Sequence, residues 1–547
     1  MKLLKNITLL TLSISLALPT VAQTLILKNI NVVDVIGLKI NKNQNIIIDN
    51  KIISSIKPLD NKVTPEGVVV IDMTDKFIIP GLIDTHVHHA TSPDSSDNDQ
   101  ITRMRLRKLL RGGVTSVRDM GGDARALYSL KRRADSDVIQ SPDIYYSVII
   151  GGEEFFSDPR TVESAKGEIP GHVDWMRAVD RNSNFDEIML KASGAGATGI
   201  KIYAKVPANV IPKLEESAKK HGLKVWSHAF VGPTKPQELI NAGVETISHA
   251  PDISAHVVDN FYKLRRENKN ITAKQKSESF DLTRYQGLFA DMNKQGTILD
   301  ATLTVFEKQQ VARGERGELM YQWGQTFTRV AHENGIKISA GTDGASDHYQ
   351  SAYPLVQHEM QLLVNDVGMD PLEAIQAATI NGAEVIGIEK SHGDISVGKV
   401  ANLVILNQNP ADNIEHVKDI AHVIKNGQFI HIGDDKSLPF VSAKKAAGML
   451  WLSGQVGNYP STKALAGSDI TSQMHQAMKN IGSVLQEYDL NYRDITKCTL
   501  MLADIGDWKK ANEAYLPFFE TPPARSAYAT AGLALNAKVE IECIAEL

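Results

Sequence analysis

The chain is poor in cysteine and aromatic residues and has no surplus of charge of either sign. Its two cysteines, Cys498 and Cys543, in 547 residues cannot form a disulfide scaffold, and they leave the redox compartment open. The 59 Lys+Arg and 64 Asp+Glu nearly cancel, to a formal charge of −5, so there is no electrostatic footprint for nucleic acid. With 42% apolar residues and no low-complexity tract, a disordered or fibrous chain is excluded. At roughly 100–200 residues per domain, the length asks for three or four compact units.

One apolar run stands out, and it is N-terminal. Lys2 and Lys5 precede Ile7–Leu18, and Pro19-Thr20-Val21-Ala22-Gln23 follows. A basic start, a short apolar stretch and a small residue at Ala22 read as a signal peptide over residues 1–22. The run is too short to span a bilayer comfortably, and nothing later rivals it, so no membrane span is expected. The expected product is exported, periplasmic or secreted, with no cysteine near the cut to carry a lipid.

Thr24–Asp34, Asn45–Ile56, Gly67–Ile71 and Lys76–Ile79 alternate apolar and polar residues as strands do. Eight short β-branched runs then alternate with helical patterns: Ile78–His88, Gly113–Met120, Asp143–Ile150, Thr198–Ala204, Leu223–Ala229, Val244–Ala250, Thr297–Val305 and Ile336–Asp343. Helices are expected at Ile101–Arg111, Phe185–Gly194, Ile211–His221 and Gln322–Asn334. Eight βα units predict an α/β fold, a closed (β/α)₈ TIM barrel over residues 80–389. The alternative, an open doubly wound sheet, would show a Gly-rich phosphate loop after its first strand. None follows His88.

Strand-like sequence returns at Ala401–Leu406 and Val423–Ile432. Residues 23–79 and 390–434 are therefore expected to meet in one split β-sandwich, since the chain ends of a domain often lie close. Lys436–Phe440 reads as a linker, and residues 439–547 as a separate α+β unit. Its expected elements are strand Met449–Gly454, helix Ile470–Tyr488, strand Ile495–Asp504, helix Trp508–Phe519 and strand Ala537–Ala545. The charged connection Ser254–Gln295 reads as a lid or, more simply, as a pair of surface helices.

The chemistry concentrates at strand ends. In His86-Val87-His88, residues two apart face the same side of a strand, here the barrel mouth. Two imidazoles aimed together suit a divalent metal such as zinc. Alone the pair is weak, but Lys201, His228, His249 and Asp343 fall at the ends of later runs, where this fold gathers its reactive groups. Lys201 is the odd member, because an ammonium has no lone pair to offer a metal. It either pairs with a barrel carboxylate or, desolvated, reacts as a free amine with CO₂ to form a carbamate. Tyr203 faces the same mouth as an oxyanion donor or a packing residue, while His172 and Arg160 are candidate substrate contacts.

Ile79-Pro80-Gly81-Leu82-Ile83-Asp84-Thr85-His86-Val87-His88, Gly113-Val114-Thr115-Ser116-Val117-Arg118-Asp119, Gly199-Ile200-Lys201-Ile202-Tyr203 and Ser339-Ala340-Gly341-Thr342-Asp343 resemble the metal-dependent amidohydrolase superfamily. Ala377–Ala383 and Gly393–Leu406 extend the likeness over roughly residues 24–434. The branch looks closest to imidazolonepropionase-like and Xaa-Pro dipeptidase-like members. The resemblance implies two divalent metal ions, zinc first. His86, His88 and Asp343 would hold one, His228 and His249 the other, and a CO₂-derived carbamate on Lys201 would bridge them. Such a pair acidifies a bridging water, and Asp343 would take its proton. Asn402 stands where the family commonly has Asp, and His89 where an apolar residue is usual.

The C-terminal unit resembles the Rid family in Leu452–Val456, Asn512–Tyr515, Pro523–Ser526 and Val539–Glu542. That family forms trimers and hydrolyses imines and enamines, so a homo-oligomer, a trimer through this unit, is implied. Arg525 would grip a substrate carboxylate, for which a planar fork is suited, and Glu540 would help activate water. Phe440 and Ala527 depart from positions where Tyr and Cys are common in imine-deaminating members.

The expectation is a metal-dependent hydrolase cleaving the amide bond of a small carboxylate-bearing substrate, a dipeptide or N-acyl amino acid, with an accessory imine- or enamine-handling unit. A one-metal deaminase or cyclic amidase, a lactonase or phosphotriesterase-like activity, and a non-enzymatic binding protein are the alternatives.

Overall fold

A break at Pro80-Gly81 separates two strands that the sequence runs together. Phe77–Pro80 belongs to one sheet, and Leu82–Val87 opens another. The Gly81 N–H donates to the Asn402 carbonyl, and a Cβ at Gly81 would fall 2.2 Å from Thr115 Oγ1. Only glycine lets the chain change sheets there.

The computed structural model describes residues 24–58, 68–89, 98–259, 261, 271–345, 351, 353–433, 439–460 and 462–547. The expected signal peptide, Gly67 and most of the expected linker lie outside the described residues.

The barrel strands are β1 Leu82–Val87, β2 Val114–Asp119, β3 Asp143–Gly151, β4 Gly199–Ile202, β5 Lys224–His228, β6 Thr246–Ser248, β7 Ile298–Asp300 and β8 Ile338–Ser339. Each pairs in parallel with the next. The first and last strands meet through Thr85 N–H to the Ala340 carbonyl and His88 N–H to the Gly344 carbonyl. This nearly closed eight-stranded barrel confirms the expected fold, and its C-terminal rim carries the candidate site.

Phe77–Pro80 pairs antiparallel with Leu403–Leu406, so strands from both flanks of the barrel share one eight-stranded sheet. The two flanks thus meet directly, Ile78 aligning with Ile405 and Ile79 with Val404. Register shifts in Thr24–Asp34, at Leu27/Ile30 and Ile30/Val32, bend that strand so that it serves both halves. Its core includes Leu27, Ile46, Ile48, Leu403 and Ile405.

The C-terminal unit is a six-stranded sheet with Ile470–Glu487 and Trp508–Tyr515 as its helices. Two of its strands, Ala443–Ala446 and Ala524–Ala529, are not expected from sequence. They are edge strands with mostly exposed, charged or small residues, which carry little apolar alternation. Cys498 and Cys543 face each other on neighbouring antiparallel strands and form a disulfide.

Helix Leu303–Glu333 is longer than the expected Gln322–Asn334 and breaks at Gly314, where φ is +54°. Its polar first half offers no apolar periodicity to read. In the described part of Ser254–Gln295, helix Gln286–Gln295 buries Leu288, Phe289 and Met292. The expected helix packing holds there.

Helix Asp99–Arg111 turns Arg103, Arg107 and Arg111, spaced four apart, toward the C-terminal end of Ile470–Glu487. Arg107 donates to the Glu487 carbonyl at 2.8 Å and to Asp489 at 3.2 Å. Arg103 pairs with Asp489 at 3.0 Å, and Arg111 with Glu487 at 2.6 Å. Cations thus cap the negative end of that helix and tie the C-terminal unit to the barrel. Among the described residues no helix is long and apolar enough to cross a membrane.

Candidate metal centre at the barrel mouth

His86 is buried at the end of β1, between two carboxylates. Its Nδ1 lies 2.7 Å from Asp300 Oδ2 and its Nε2 3.4 Å from Asp343 Oδ1. His88 Nε2 is 3.0 Å from the same Asp343 oxygen. The His86 ring is 5.0 Å from that of His249, which is 4.8 Å from that of His228. One ligand atom each from His86, His249 and Asp343 lie within 4.8 Å of one another.

The histidine tautomers are set from behind. His86 Nδ1 faces a carboxylate and His228 Nδ1 faces the Tyr203 carbonyl at 2.8 Å. Neither acceptor has a proton to give, so both Nδ1 atoms must carry one. His249 Nδ1 meets Thr302 Oγ1 at 3.0 Å. For His86 and His228 the lone pair then sits on Nε2, the arrangement that metal-binding imidazoles need. The residues present therefore fit a divalent cation.

Electrostatics agree. Burial lowers the His86 pKa to about 4 against the pull of Asp300 and Asp343, which keeps the ring neutral. For His88 burial is outweighed by the hydrogen bond and charge of Asp343, and the pKa rises. Asp343 is itself held far below the usual carboxylate range, because His86, His88 and His249 outweigh its burial. Both Asp343 and His249 sit at positive φ, +51° and +73°. Such strained backbone in non-glycine residues gathers at functional sites.

Lys201 is fully buried inside the barrel. Desolvation, then the nearby Arg118 charge, pushes its pKa well below the usual lysine value. Its Nζ donates to Ser248 Oγ at 2.7 Å, and that hydroxyl donates to Asp300 Oδ2 at 2.9 Å. Both effects favour the uncharged amine, the form of lysine that reacts with CO₂.

Sequence reasoning missed Asp300. This carboxylate accepts from His86, Arg118, Ser248 and Thr85, and Arg118 also stacks on Trp226 at 4.8 Å. A signal existed: Asp300 is a carboxylate at the end of β7, where this fold gathers its reactive groups. Asp84, also buried, accepts from the Thr342 hydroxyl at 2.8 Å and joins β1 to the segment after β8.

The remaining candidates divide. The Tyr203 hydroxyl donates to the Met120 carbonyl at 2.5 Å, with its ring stacked on Phe155 and edge-on to His228. Arg160 is held by Asp158 through Nε and Nη2 and lies close enough to Asp343 to feel its charge. His172 is exposed and faces Glu153 at 3.4 Å; no described contact joins it to the cluster. His89 is buried and its N–H donates to Asp119. Asn402 accepts from the Asn426 N–H within the composite sheet.

In the C-terminal unit Arg525 donates to Asn512 at 2.6 Å and lies over the Tyr515 ring at 5.2 Å. Burial, then the charge of Glu542, raises the pKa of Glu540. The two residues lie on strands separated by Ile495–Leu502, where Arg525 aligns with Cys498 and Glu540 with Met501. No described contact brings them together within one chain.

Residues 77–430 match the family described as Amidohydrolase family, and residues 435–547 the family described as Endoribonuclease L-PSP. The C-terminal unit is 44% identical over 110 residues to the chloroplastic Reactive Intermediate Deaminase A of Arabidopsis thaliana, covering 20% of this chain and 59% of that relative. It is 36% identical over 108 residues to the 2-iminobutanoate/2-iminopropanoate deaminase of Mus musculus, covering 20% of this chain and 80% of that one. Among solved structures, a Xaa-Pro dipeptidase with bound methionine superimposes at TM-score 0.57 and 21% identity, over 74% of this chain and 99% of that one. The A. niger ochratoxinase superimposes at 0.58 and 19%, over 75% and 95%. At such identities these structures share the fold.

Proposed function

The chain belongs to the amidohydrolase family through residues 77–430, fused to a Rid-type unit, and from that premise we propose a metal-dependent hydrolase that cleaves the amide bond of a small carboxylate-bearing molecule. The observation that carries this reading is the convergence of His86, His88, His228, His249 and Asp343, with the rear nitrogens of three rings already committed. His86, His88 and Asp343 would hold one divalent ion, and His228 and His249 a second, with Lys201 carbamylated between them. When bound, such a pair acidifies a water and polarises a carbonyl.

The protein's own groups do the rest. Asp343, kept ionised by its imidazole neighbours, accepts the proton of the attacking water and returns it to the leaving amine. Tyr203 can support the developing oxyanion by exchanging its bond to the Met120 carbonyl. Arg160, steadied by Asp158 and within reach of the Asp343 charge, would meet a substrate carboxylate. His172 receives no role, because it faces Glu153. A metal-replete screen of dipeptides, N-acyl amino acids, lactones and phosphotriesters tests the reading. Turnover confined to lactones or phosphotriesters would overturn it.

The Rid-type unit would handle an imine or enamine, as the names of its relatives suggest. If the barrel frees an enamine from an N-acyl dehydroamino acid, the enamine tautomerises to an imine. Water then converts the imine to a 2-oxo acid and ammonia. Equal oxo acid release by wild type and Arg525→Ala would remove this role. Export is supported by the N-terminal sequence and by the Cys498–Cys543 disulfide, since such bonds persist in oxidising compartments. Cell fractionation tests it, and a cytosolic, uncleaved product would refute it.

A further inference from the structure

Helix Leu303–Glu333 begins without the cap its sequence provides. Its N-cap, Thr302, is a residue type that would normally accept a first-turn N–H through its hydroxyl, yet it makes no side-chain cap bond. It also stands at φ +56°, ψ +41°, a left-handed conformation that is an outlier for a β-branched residue. Something else must both satisfy the exposed N–H groups and hold Thr302 in place.

Glu359, from the helix Leu355–Leu362, does both. It is wholly buried. One carboxylate oxygen accepts the Leu303 N–H at 2.8 Å, and the other accepts the Thr304 N–H at 2.7 Å and the Thr304 hydroxyl at 2.6 Å. A remote side chain thus caps the helix, and the Thr302 hydroxyl is released to turn the other way. There it meets His249 Nδ1 at 3.0 Å. The same corner is pinned by His249 N–H to the Asp300 carbonyl and Ala250 N–H to the Ala301 carbonyl.

We infer that Glu359 is a positioning residue for the metal centre, acting on His249 through the Leu303–Thr304 turn and the Thr302 hydroxyl. It touches neither the cluster nor a substrate. By substituting for the helix cap it fixes which way Thr302 points, and Thr302 fixes the His249 ring with its Nε2 toward His86 and Asp343. The burial that makes this clamp rigid also raises the Glu359 pKa to about 7. This inference rests on His249 being a metal ligand.

The test uses the full-length chain loaded with Co²⁺, whose visible absorption reports ligand geometry. Glu359→Gln keeps the shape but leaves one fewer acceptor oxygen, and Thr302→Val removes the hydroxyl. Both should show the same altered spectrum and Co²⁺ affinity roughly 10–100-fold weaker, the range for losing a group that orients a metal ligand. Thr302→Ser, which keeps the hydroxyl, should restore the wild-type spectrum. The double variant should lose no more than Thr302→Val alone, because coupled residues are not additive. A folded Glu359→Gln with wild-type spectrum and affinity overturns the inference, as does full multiplication of the two effects. Where Glu359→Gln does not fold, Thr304→Val, which removes one of the clamp's bonds, should give a partial spectral shift; no shift overturns it. A wild-type chain that takes up no Co²⁺, or a His249→Ala chain with an unchanged spectrum, instead overturns the metal reading on which this one depends.

Discussion

His86 and Asp300, 214 residues apart in the chain, meet at 2.7 Å through Nδ1 and a carboxylate oxygen. The same carboxylate holds Arg118, Ser248 and Thr85. One buried group therefore sets the tautomer of a candidate ligand, balances the Arg118 guanidinium and, through Ser248, reaches Lys201.

Replacing Asp300 by Asn should disable the centre and weaken the fold together. Arg118 would be left buried beside a neutral amide, and breaking a buried pair costs about 3–5 kcal/mol. Loss of the carboxylate behind His86 should weaken metal binding roughly 10–100-fold. Urea unfolding and equilibrium dialysis measure the two effects separately. An Asp300→Asn chain that keeps wild-type metal affinity would show that the contact does not orient His86.

On the proposed reading, Lys201 should set the metal count. Supplied with bicarbonate and metal, the wild-type chain should hold about two equivalents, and Lys201→Ala one at most, by elemental analysis of the purified protein. Two equivalents in the variant would end the bridging assignment.

Acid should destabilise the metal-free chain through His86. Its folded pKa, about 4, lies below the ordinary 6.5. The unfolded chain therefore binds the extra proton between those values, and the contribution is present above pH 6.5 and lost as pH falls through 4. The shift corresponds to roughly 3 kcal/mol. His86→Asn should flatten the fall in stability from pH 6.5 to 4 in urea titrations at fixed ionic strength. An unchanged slope would place the acid sensitivity elsewhere.

The arginine ridge should control docking of the C-terminal unit. Arg107→Ala removes two charge-assisted hydrogen bonds, at about 1.5–3 kcal/mol each. With Arg111→Ala added, calorimetry should resolve separate unfolding of the barrel and the C-terminal unit. A single, unshifted transition would mean that the packing of Phe429 on Tyr459 suffices.

Much of the barrel is legible in the chain because β-branched runs alternate with helical patterns, and each of the eight runs coincides with a barrel strand. The break at Pro80-Gly81 is not, because apolar residues continue through it and only the neighbour Thr115 makes the glycine necessary. The edge strands Ala443–Ala446 and Ala524–Ala529 are invisible for the opposite reason: exposed on most positions, they have no apolar rhythm.

The sequence alone determined where the reactive side chains fall, since strand periodicity aims His86 and His88 alike and the βα repeat places Lys201, His228, His249 and Asp343 at the ends of the fourth, fifth, sixth and eighth runs. Only the tertiary structure decided how those side chains are held. Asp300 behind His86, the Tyr203 carbonyl behind His228, and Thr302 released by Glu359 behind His249 all lie far away in sequence. A hydrogen bond depends on distance and direction in space, and neither is written in residue order.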